Sequence, residues 1–332
     1  MNKIIYKPLI LLIILSLSNN TYATTWRMAF KTPIDSPEGL VFQYFTKKVD
    51  EYSSGDMKII LYPNEQLGKD DAVLEQLKLG IIQLYAEDSS FMKKWTPEIK
   101  WTSPPFLFDD RQHWVKFMNS DLVNNWYEKA SKDAGITLLG DKTSILRGPY
   151  RVMVSKSQVL SLDDIENLKL RLSPSQLSVQ SWVHLDADVK TLSWTDVYQS
   201  LQKGIVEAVN SPISLVESMR FHEVAPYLIR HDESFQSLAI MMNKKKYDEL
   251  PPNLKLVLEK SYFDAAEYSH EIIPSLADES LERMKSEGVK YREIDRRPIV
   301  KRIKELYKDF SKKGDLPDGY LLAIESSKTV IH

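Results

Sequence analysis

The chain has 332 residues, a formal net charge of −2 and no cysteine, and 43% of its residues are hydrophobic. This length is enough for two domains of ordinary size, and the composition is typical of globular chains. The lack of cysteine excludes disulfides and thiolate metal sites. The slightly acidic balance argues against nucleic acid or an anionic membrane surface as a partner. An anionic ligand would therefore need local positive groups.

The first residues have the organisation of a secretory signal peptide. Lys3 and Lys7 precede an apolar run over residues 9–15, and a polar stretch follows in which Thr21 and Ala23 are the small residues. The run is too short for a membrane-spanning helix, which needs about 20 apolar residues. We therefore predict a signal peptide over residues 1–23, cleavage after Ala23 and a periplasmic location. Cleavage would move the formal charge to −4, because the removed segment carries two lysines and no acid.

Strand and helix patterns alternate along most of the remaining chain. Alternating apolar residues predict strands, and apolar residues three or four positions apart predict helices. The pattern predicts strands over 26–31, 57–62, 81–86, 136–139, 150–155, 168–173 and 236–243, and helices over 38–52, 70–80 and 195–203. This alternation predicts an α/β fold with helices packed on sheets.

The C-terminal third is predicted to be mainly helical. Residues 253–287 read as one long helix, and Pro274 inside it predicts a kink or a break near Ile273. A helix of this length is longer than one lobe needs and is long enough to brace two. Residues 300–313 read as a charged amphipathic helix, most simply a solvated face.

Sequence templates for catalysis are mostly absent. The chain has no glycine-rich phosphate loop, no H-E-x-x-H motif and no G-x-S-x-G motif. Its six histidines lack metal-ligand spacing, so we expect no metal and no cofactor. Paired carboxylates for hydrolysis are a spatial arrangement that a sequence does not reveal, so a secreted hydrolase of that kind stays an alternative.

Two predicted strands carry arginines on their polar faces. Arg171 shares its face with Lys169 and Ser173, opposite three leucines, and Arg151 lies opposite valines. A guanidinium meets a carboxylate with two parallel hydrogen bonds, which makes arginine suited to binding acids. Solvated surface arginines are the alternative interpretation, since charged residues are mostly exposed.

Four segments resemble, in order and spacing, the DctP-type solute-binding proteins of TRAP (tripartite ATP-independent periplasmic) transporters. Residues 62–68 with 74–80 resemble part of the family's first lobe, and 163–171 resemble its "DLKGLKIR" segment. Residues 193–204 resemble its "F-S-E-V-Y-x-A-L-Q-x-G" helix, and 206–212 lie where it has "V-D-G-x-E-N-P". The layout is most similar to that of sialic-acid- and ectoine-binding members.

The resemblance implies a two-lobe periplasmic binding protein (Venus-flytrap) fold, in which each lobe is a mixed sheet flanked by helices. The lobes would be joined by crossing strands and a long lobe-spanning helix. We predict that lobe I comprises residues 24–148 plus about 235–275. Lobe II is predicted to comprise residues 149–234 plus about 276–332.

The resemblance also implies roles for particular side chains. Arg171 corresponds to the arginine that receives the ligand carboxylate, and Arg151 to a second arginine of sialic-acid-binding members. Trp194 corresponds to an aromatic residue that packs on the ligand. Glu87 corresponds to a carboxylate that faces ligand hydroxyl or amino groups, and Asp70 falls at another ligand-side position. The alternatives are a local ion pair for Arg151 or Glu87 and core packing for Trp194.

The chain departs from the family in the fourth segment. Asn210 stands in place of the family's glutamate, and Ser211 in place of the asparagine that reinforces the carboxylate site. We expect both to contact the ligand. Phe30 and Lys31 end the first predicted strand and are expected in the cleft, because ligands of α/β sheets lie beyond the carboxyl ends of strands. Five other tryptophans are expected to be packing residues, namely Trp95, Trp101, Trp114, Trp126 and Trp182.

The function that the resemblance implies is that of a receptor and not of an enzyme. The receptor would bind a small organic acid between the lobes and deliver it to the small and large membrane subunits of a permease driven by an ion gradient. We expect a monomer that binds no nucleic acid. Sialic acid, uronates, dicarboxylates, keto acids and ectoine-like compounds stay open as ligands, and a ligand-sensing module for a signalling partner stays open as an alternative function.

Overall fold

The computed structural model describes residues 23–328, so the predicted signal peptide lies outside the described residues except for Ala23. The strands are β1 Thr24–Ala29, β2 Met57–Tyr62, β3 Leu84–Glu87, β4 Ile136–Leu139, β5 Ile145–Leu146, β6 Arg151–Ser155, β7 Lys169–Leu172, β8 Asp188–Thr191, β9 Ala208–Pro212, β10 Tyr227–Arg230, β11 Ser237–Asn243 and β12 Lys290–Glu293. The helices are α1 Pro37–Tyr52, α2 Asp70–Lys78, α3 Arg111–Met118, α4 Asp121–Ala134, α5 Gln176–His184, α6 Val197–Gln202, α7 Ile213–Val216, α8 Lys244–Asp248, α9 Pro252–Ser286, α10 Arg296–Lys313 and α11 Tyr320–Ser326. In this part of the chain no helix is both long and apolar enough to span a membrane.

The first sheet has the strand order β2-β1-β3-β11-β4, and β5 also pairs with β11. Strand β1 runs parallel to β2 and β3, whereas β11 runs antiparallel to its three partners. All seven residues of β11 are buried, as expected for a central strand covered on both faces. Helices α1 and α9 pack together on this sheet.

The second sheet has the order β12-β10-β6-β9-β7-β8. Strands β7, β8 and β9 form parallel pairs, and β6 is antiparallel to both β9 and β10. Because β7 and β8 are parallel, a crossover is needed between them, and α5 supplies it. Both sheets are therefore mixed.

The chain crosses between the two sheets after β5 and returns between β10 and β11. We call the first sheet with its helices lobe I and the second sheet with its helices lobe II. The predicted α/β fold with two mixed-sheet lobes and a long helix is confirmed. The residue boundaries given above for the lobes stay a prediction.

Helix α9 has 35 residues and contains Pro274. It packs against α1 and β5 of lobe I and against α7 of lobe II, so it spans both lobes. The helix is continuous through Pro274, and the break considered from the sequence does not occur. Proline in a helix interior costs about 3 kcal/mol, and we attribute the continuity to twelve buried residues along α9 that pack on both lobes.

Several local predictions differ from the structure. Strand β1 spans Thr24–Ala29 and ends before Phe30 and Lys31, which were predicted to end it. Strand β3 starts at Leu84 instead of residue 81, because Ile81 is half exposed and only Ile82 enters the core. Helix α6 is preceded by a short 3-10 turn over Trp194–Asp196. The C-terminal helix is not simply a solvated face: α10 begins at Arg296 and buries Ile299, Ile303, Tyr307 and Phe310.

Candidate functional site

A cavity of about 110 Å³ lies between the lobes, beside both crossing segments. That volume holds several water molecules, since one needs roughly 10–15 Å³ on the same scale. The charged residues that line it are Lys31, Glu87, Asp88, Lys93, Lys100, Arg147, Arg151, Arg171 and Glu233. Its other lining residues include Phe91, Trp194, Asn210, Gln236 and several serines. It is thus a strongly polar site with two aromatic walls.

Arg171 lies on β7, next to the connection that leads into α5, and its residue is 4% exposed. Its Nε donates to the carbonyl oxygen of Leu192 at 2.9 Å, and its Nη2 donates to the same atom at 2.5 Å. The guanidinium carbon lies 5.3 Å from the ring centroid of Trp194. Among residues 23–328, no carboxylate lies within 4.0 Å of this guanidinium. One buried arginine therefore faces the cavity without an acid.

Burial lowers the pKa of Arg171 to about 10, because the charged form loses its hydration. The group is still protonated at neutral pH. A buried charge without a partner is costly, and a bound anion would restore the lost stabilisation. This electrostatic state is what a carboxylate-binding arginine requires.

Arg151 also lines the cavity but has a partner. Its Nε donates to Oε1 of Glu233 at 3.1 Å, and its Nη2 lies 3.0 Å from the same oxygen. Its Nη1 donates to the side chain of Gln236. The ion pair that was the alternative interpretation is therefore present, and it holds Arg151 at the wall of the cavity.

Asn210 and Ser211 lie on opposite faces of β9. Asn210 lines the cavity and donates to Oε2 of Glu233 at 2.8 Å. Ser211 pairs across the sheet with Val152, and its hydroxyl donates to the Pro212 carbonyl at 2.8 Å. Ser211 lies on the same sheet face as Arg171, because Arg171 pairs with Val209, but it is fully buried and does not line the cavity. The structure places Asn210 there and not Ser211.

Trp194 lies on the cavity wall and is 9% exposed. One edge packs on Phe221 with ring centroids 5.1 Å apart, and its face meets the guanidinium of Arg171. Its Nε1 is buried without an acceptor among the described residues. Trp194 therefore both packs in the core and lines the cavity.

Glu87, Lys31 and Arg147 form a buried charge cluster at the base of the cavity. Arg147 forms an ion pair with Glu87 and, through Nε at 3.1 Å, with Glu38. Lys31 lies 3.2 Å from Glu87 and 3.1 Å from Asp70. Burial opposes ionisation of Glu87, but Arg147 and Lys31 outweigh it and lower its pKa. Glu87 is therefore already paired with two cations of the protein, Lys31 and Arg147.

Besides Ser211, two predicted residues do not line the cavity. Asp70 starts α2, binds Lys31 and accepts a hydrogen bond from the Tyr85 hydroxyl, so it lies one contact behind the wall. Phe30 is 2% exposed and packs on Phe42 of α1 with ring centroids 5.0 Å apart. The end of β1 brings Lys31 to the cavity and puts Phe30 in the core of lobe I.

Several cavity residues were missed from the sequence. Arg147 and Glu233 lie on the two crossing segments, which only the sheet topology identifies. His231 is buried behind them and binds Asn210. Lys93 and Lys100 lie in two short 3-10 helices, Ser89–Lys94 and Pro97–Thr102, and look like ordinary surface lysines in the sequence. Residues 23–328 contain no group of three or more His, Asp or Glu side chains that could hold a metal ion.

The comparisons with known proteins agree on one family. Residues 28–313 match the model of "bacterial extracellular solute-binding protein, family 7", DctP. The C4-dicarboxylate-binding periplasmic protein DctP of Rhodobacter capsulatus is 26% identical over 255 residues, which cover 76% of this chain and 75% of that protein. The sialic acid-binding periplasmic protein SiaP of Vibrio cholerae is 24% identical over 288 residues, covering 87% and 88%.

The fold is similar to that of solved receptors. The sugar acid binding protein DctPAm of Advenella mimigardefordensis, in complex with galactonate, superposes with a TM-score of 0.83 at 22% identity. The superposition covers 92% of this chain and 99% of that one. A family model that spans most of the chain, two periplasmic relatives and the shared two-lobe fold lead to one conclusion. The chain belongs to the DctP family, family 7 of the bacterial extracellular solute-binding proteins, the receptors of TRAP transporters.

Proposed function

We propose that this protein captures a small organic acid in the cavity between the lobes, with the ligand carboxylate on Arg171, and delivers it to a TRAP permease. The observation that carries the assignment is the state of Arg171. It is buried and charged, and no carboxylate lies within 4.0 Å of it in the described chain. A ligand carboxylate would supply that partner, and hydrogen bonds to charged groups are the stronger kind.

The other predicted site residues receive roles from their contacts. We propose that Asn210 and Arg151, both held by Glu233, present polar groups to the ligand. Trp194 would supply an apolar face beside the carboxylate. Glu87 and Asp70 would act on the ligand only through Lys31, which both of them bind. Ser211 and Phe30, also predicted to bind, would contribute only to packing.

The chemistry of similar proteins supports a polar acid as the ligand. Relatives are named for a C4-dicarboxylate and for sialic acid, and a similar structure holds galactonate. The lining of this cavity includes hydroxyl groups of Ser90, Ser173, Ser175 and Ser178, which can donate to or accept from sugar hydroxyls. We therefore place hydroxylated acids first among the candidates.

Closure of the lobes would complete the site. Contacts across the cleft join Lys69 to Asp196 at 2.9 Å and the Thr195 hydroxyl to Glu65 at 2.7 Å. A ligand that touches both lobes stabilises the closed form by its contacts there. The closed form would then dock on the small and large permease subunits in the periplasm, and an ion gradient would drive uptake. We propose a monomer, released from its signal peptide after Ala23, which the intact mass of the exported protein would check.

Replacement of Arg171 tests the proposal. Arg171→Ala should weaken binding of the cognate acid by about 2–5 kcal/mol, since it removes one partner of a buried charge pair. Isothermal titration calorimetry would be run with whichever of D-galactonate, D-glucuronate, N-acetylneuraminate, succinate or ectoine raises the Tm of the wild type most. Arg171→Lys keeps the charge without the planar fork and should lose part of the affinity.

Arg297→Ala is the matched control, because that side chain is 91% exposed. Circular dichroism and Tm would verify that each variant is folded. Unchanged affinity in a folded Arg171→Ala variant would contradict the role of Arg171 as the carboxylate-binding residue. NMR of the ligand after prolonged incubation should show no turnover, and a product would favour the hydrolase alternative.

A further inference from the structure

The cationic side chains of the cavity fall into two groups. Six of them line it, and three have carboxylates within 4.0 Å. The paired ones are Lys31 with Asp70 and Glu87, Arg147 with Glu38 and Glu87, and Arg151 with Glu233. These pairs combine three cations with four carboxylates. Burial raises the pKa of Glu38, and its neighbour Glu87 adds to the shift, so one of the four carboxyls ionises reluctantly. The paired group is therefore close to neutral.

The second group consists of Arg171, Lys93 and Lys100. In the described chain none of them has a carboxylate within 4.0 Å. Burial lowers the pKa of Lys93, because the charged form loses hydration. The Nζ of Lys93 donates to the Pro174 carbonyl at 3.4 Å, just beyond β7. Lys93 thus reaches from lobe I towards the strand that carries Arg171.

One carboxylate of the lining, Asp88, is left to balance these three cations. Its two oxygens accept hydrogen bonds from the Ser90 N–H at 2.8 Å and from Nε2 of Gln236 at 3.1 Å. Three positive charges against one negative charge leave an excess of two at the cavity wall. A single carboxylate on Arg171 would leave one of these charges uncompensated.

We propose that the ligand carries two anionic groups, one bound by Arg171 of lobe II and the other by Lys93 and Lys100 of lobe I. This inference rests on the proposed function and specifies its ligand class. The second group is a carboxylate or a phosphate monoester, since lysine binds either as a point charge. Serine hydroxyls at 90, 103, 173, 175 and 178 line the space and suit a hydroxylated ligand.

Matched ligands test the second subsite directly. D-Gluconate, D-glucarate and 6-phospho-D-gluconate share a carboxylate end and differ at the other end, which is uncharged, a carboxylate or a phosphate. Galactonate with galactarate, and butyrate with succinate, repeat the comparison with another stereochemistry and a shorter chain. Affinities would be compared at constant ionic strength. Within each set that binds, the ligand with two anionic groups should bind at least about tenfold more tightly than the matching monocarboxylate, as a buried ion pair implies. The relative affinities of glucarate and the phosphate ester distinguish the two kinds of group.

Lys93→Gln should reduce the affinity for the dianion about tenfold or more and change that for the monoanion less than about twofold. If Lys93 served only to hold the lobes together through its hydrogen bond to Pro174, the affinities for the dianion and the monoanion would fall equally. That result would overturn the proposal. Lys94→Gln is the control, because Lys94 is paired with Glu75 at 2.7 Å and does not line the cavity. In Lys94→Gln the ratio of the dianion affinity to the monoanion affinity should equal that of the wild type.

The two proposals fail in different ways. If monoanions bind through Arg171 and no dianion binds more tightly, the second subsite is wrong and the proposed function stands. If dianions bind more tightly and Lys93→Gln leaves the preference intact, the assignment to Lys93 is wrong. If no member of any pair binds, the result contradicts the proposed function and the second subsite together.

Discussion

Partners decide what each arginine of the cavity can do. Arg171 and Arg151 both lie on strand faces opposite apolar residues, and the sequence predicts the same kind of role for them. In the structure Glu233 neutralises Arg151, whereas Arg171 donates to the Leu192 carbonyl, packs on Trp194 and has no carboxylate within 4.0 Å among residues 23–328. The acid lies 82 positions from Arg151 in the chain, a distance over which local periodicity carries no information.

His231 belongs to the same network and is neutral when folded. Its Nδ1 accepts from the Glu233 N–H at 3.1 Å, so its Nε2 carries the proton donated to Oδ1 of Asn210 at 3.1 Å. Burial lowers the pKa of His231 to about 4 from its ordinary value of 6.5. Protonation at Nδ1 would set two donors against each other and break the link to Glu233.

Stability should therefore depend on His231 at mildly acidic pH. Between pH 6.5 and 4 the unfolded histidine binds a proton that the folded one does not, so its contribution to the free energy of unfolding falls as the pH falls. The difference between wild type and His231→Gln, measured by urea unfolding, should shrink by about 2–3 kcal/mol from pH 7 to pH 4.5. A constant difference, or an NMR titration of His231 above pH 6.5, would contradict this expectation.

At the scale of elements, periodicity predicted which segments are strands and helices better than it predicted their ends. Strand β9 was not predicted as a strand, since only the resemblance singled out residues 206–212, and packing decides that Asn210 lines the cavity whereas Ser211 is buried. Helix α9 was recognised from its length, but its behaviour at Pro274 depends on packing against both lobes. Helix α10 was read as solvated because its surface is highly charged, and its four buried residues pack against neighbouring segments.

Pro274 offers a test of how α9 accommodates its proline. Pro274→Ala restores the N–H that can donate to the carbonyl of His270, so we expect the free energy of unfolding to rise by about 1 kcal/mol or more. Urea unfolding measures the change. Pro252→Ala is the control and should have little effect, since the first helical position needs no N–H. A destabilised Pro274→Ala protein would show that the helix needs the geometry imposed by proline to contact both lobes.

At the scale of the molecule, two lobes share one helix and meet across a charged cavity. The contacts that join the lobes at its edge are solvent-exposed: Lys69 and Asp196 are 60% and 53% exposed. Pairs of this kind contribute about 0–1 kcal/mol each. We infer that the ligand, and not the rim, supplies most of the free energy of closure.

Removing the rim pair should consequently have a small and salt-dependent effect. Lys69→Ala should weaken ligand binding by less than about fivefold, and the loss should diminish at high salt because exposed charges are screened. Calorimetry at two ionic strengths would measure the affinity, and small-angle scattering would report closure. A loss as large as that of Arg171→Ala would mean that the rim controls closure.

The sequence alone determined the fold class, the family and the face of β7 on which Arg171 lies, because these depend on local periodicity and on ordered motifs. Only the tertiary structure decided which charges are paired. It joined Arg151 to Glu233 and placed Phe30 against Phe42, and within residues 23–328 it left Arg171, Lys93 and Lys100 with no carboxylate inside 4.0 Å. Pairing depends on contacts between residues far apart in the chain, and burial then determines how strongly each charged group interacts with a partner. A strand pattern indicates the side on which a residue lies, whereas packing decides what it meets there.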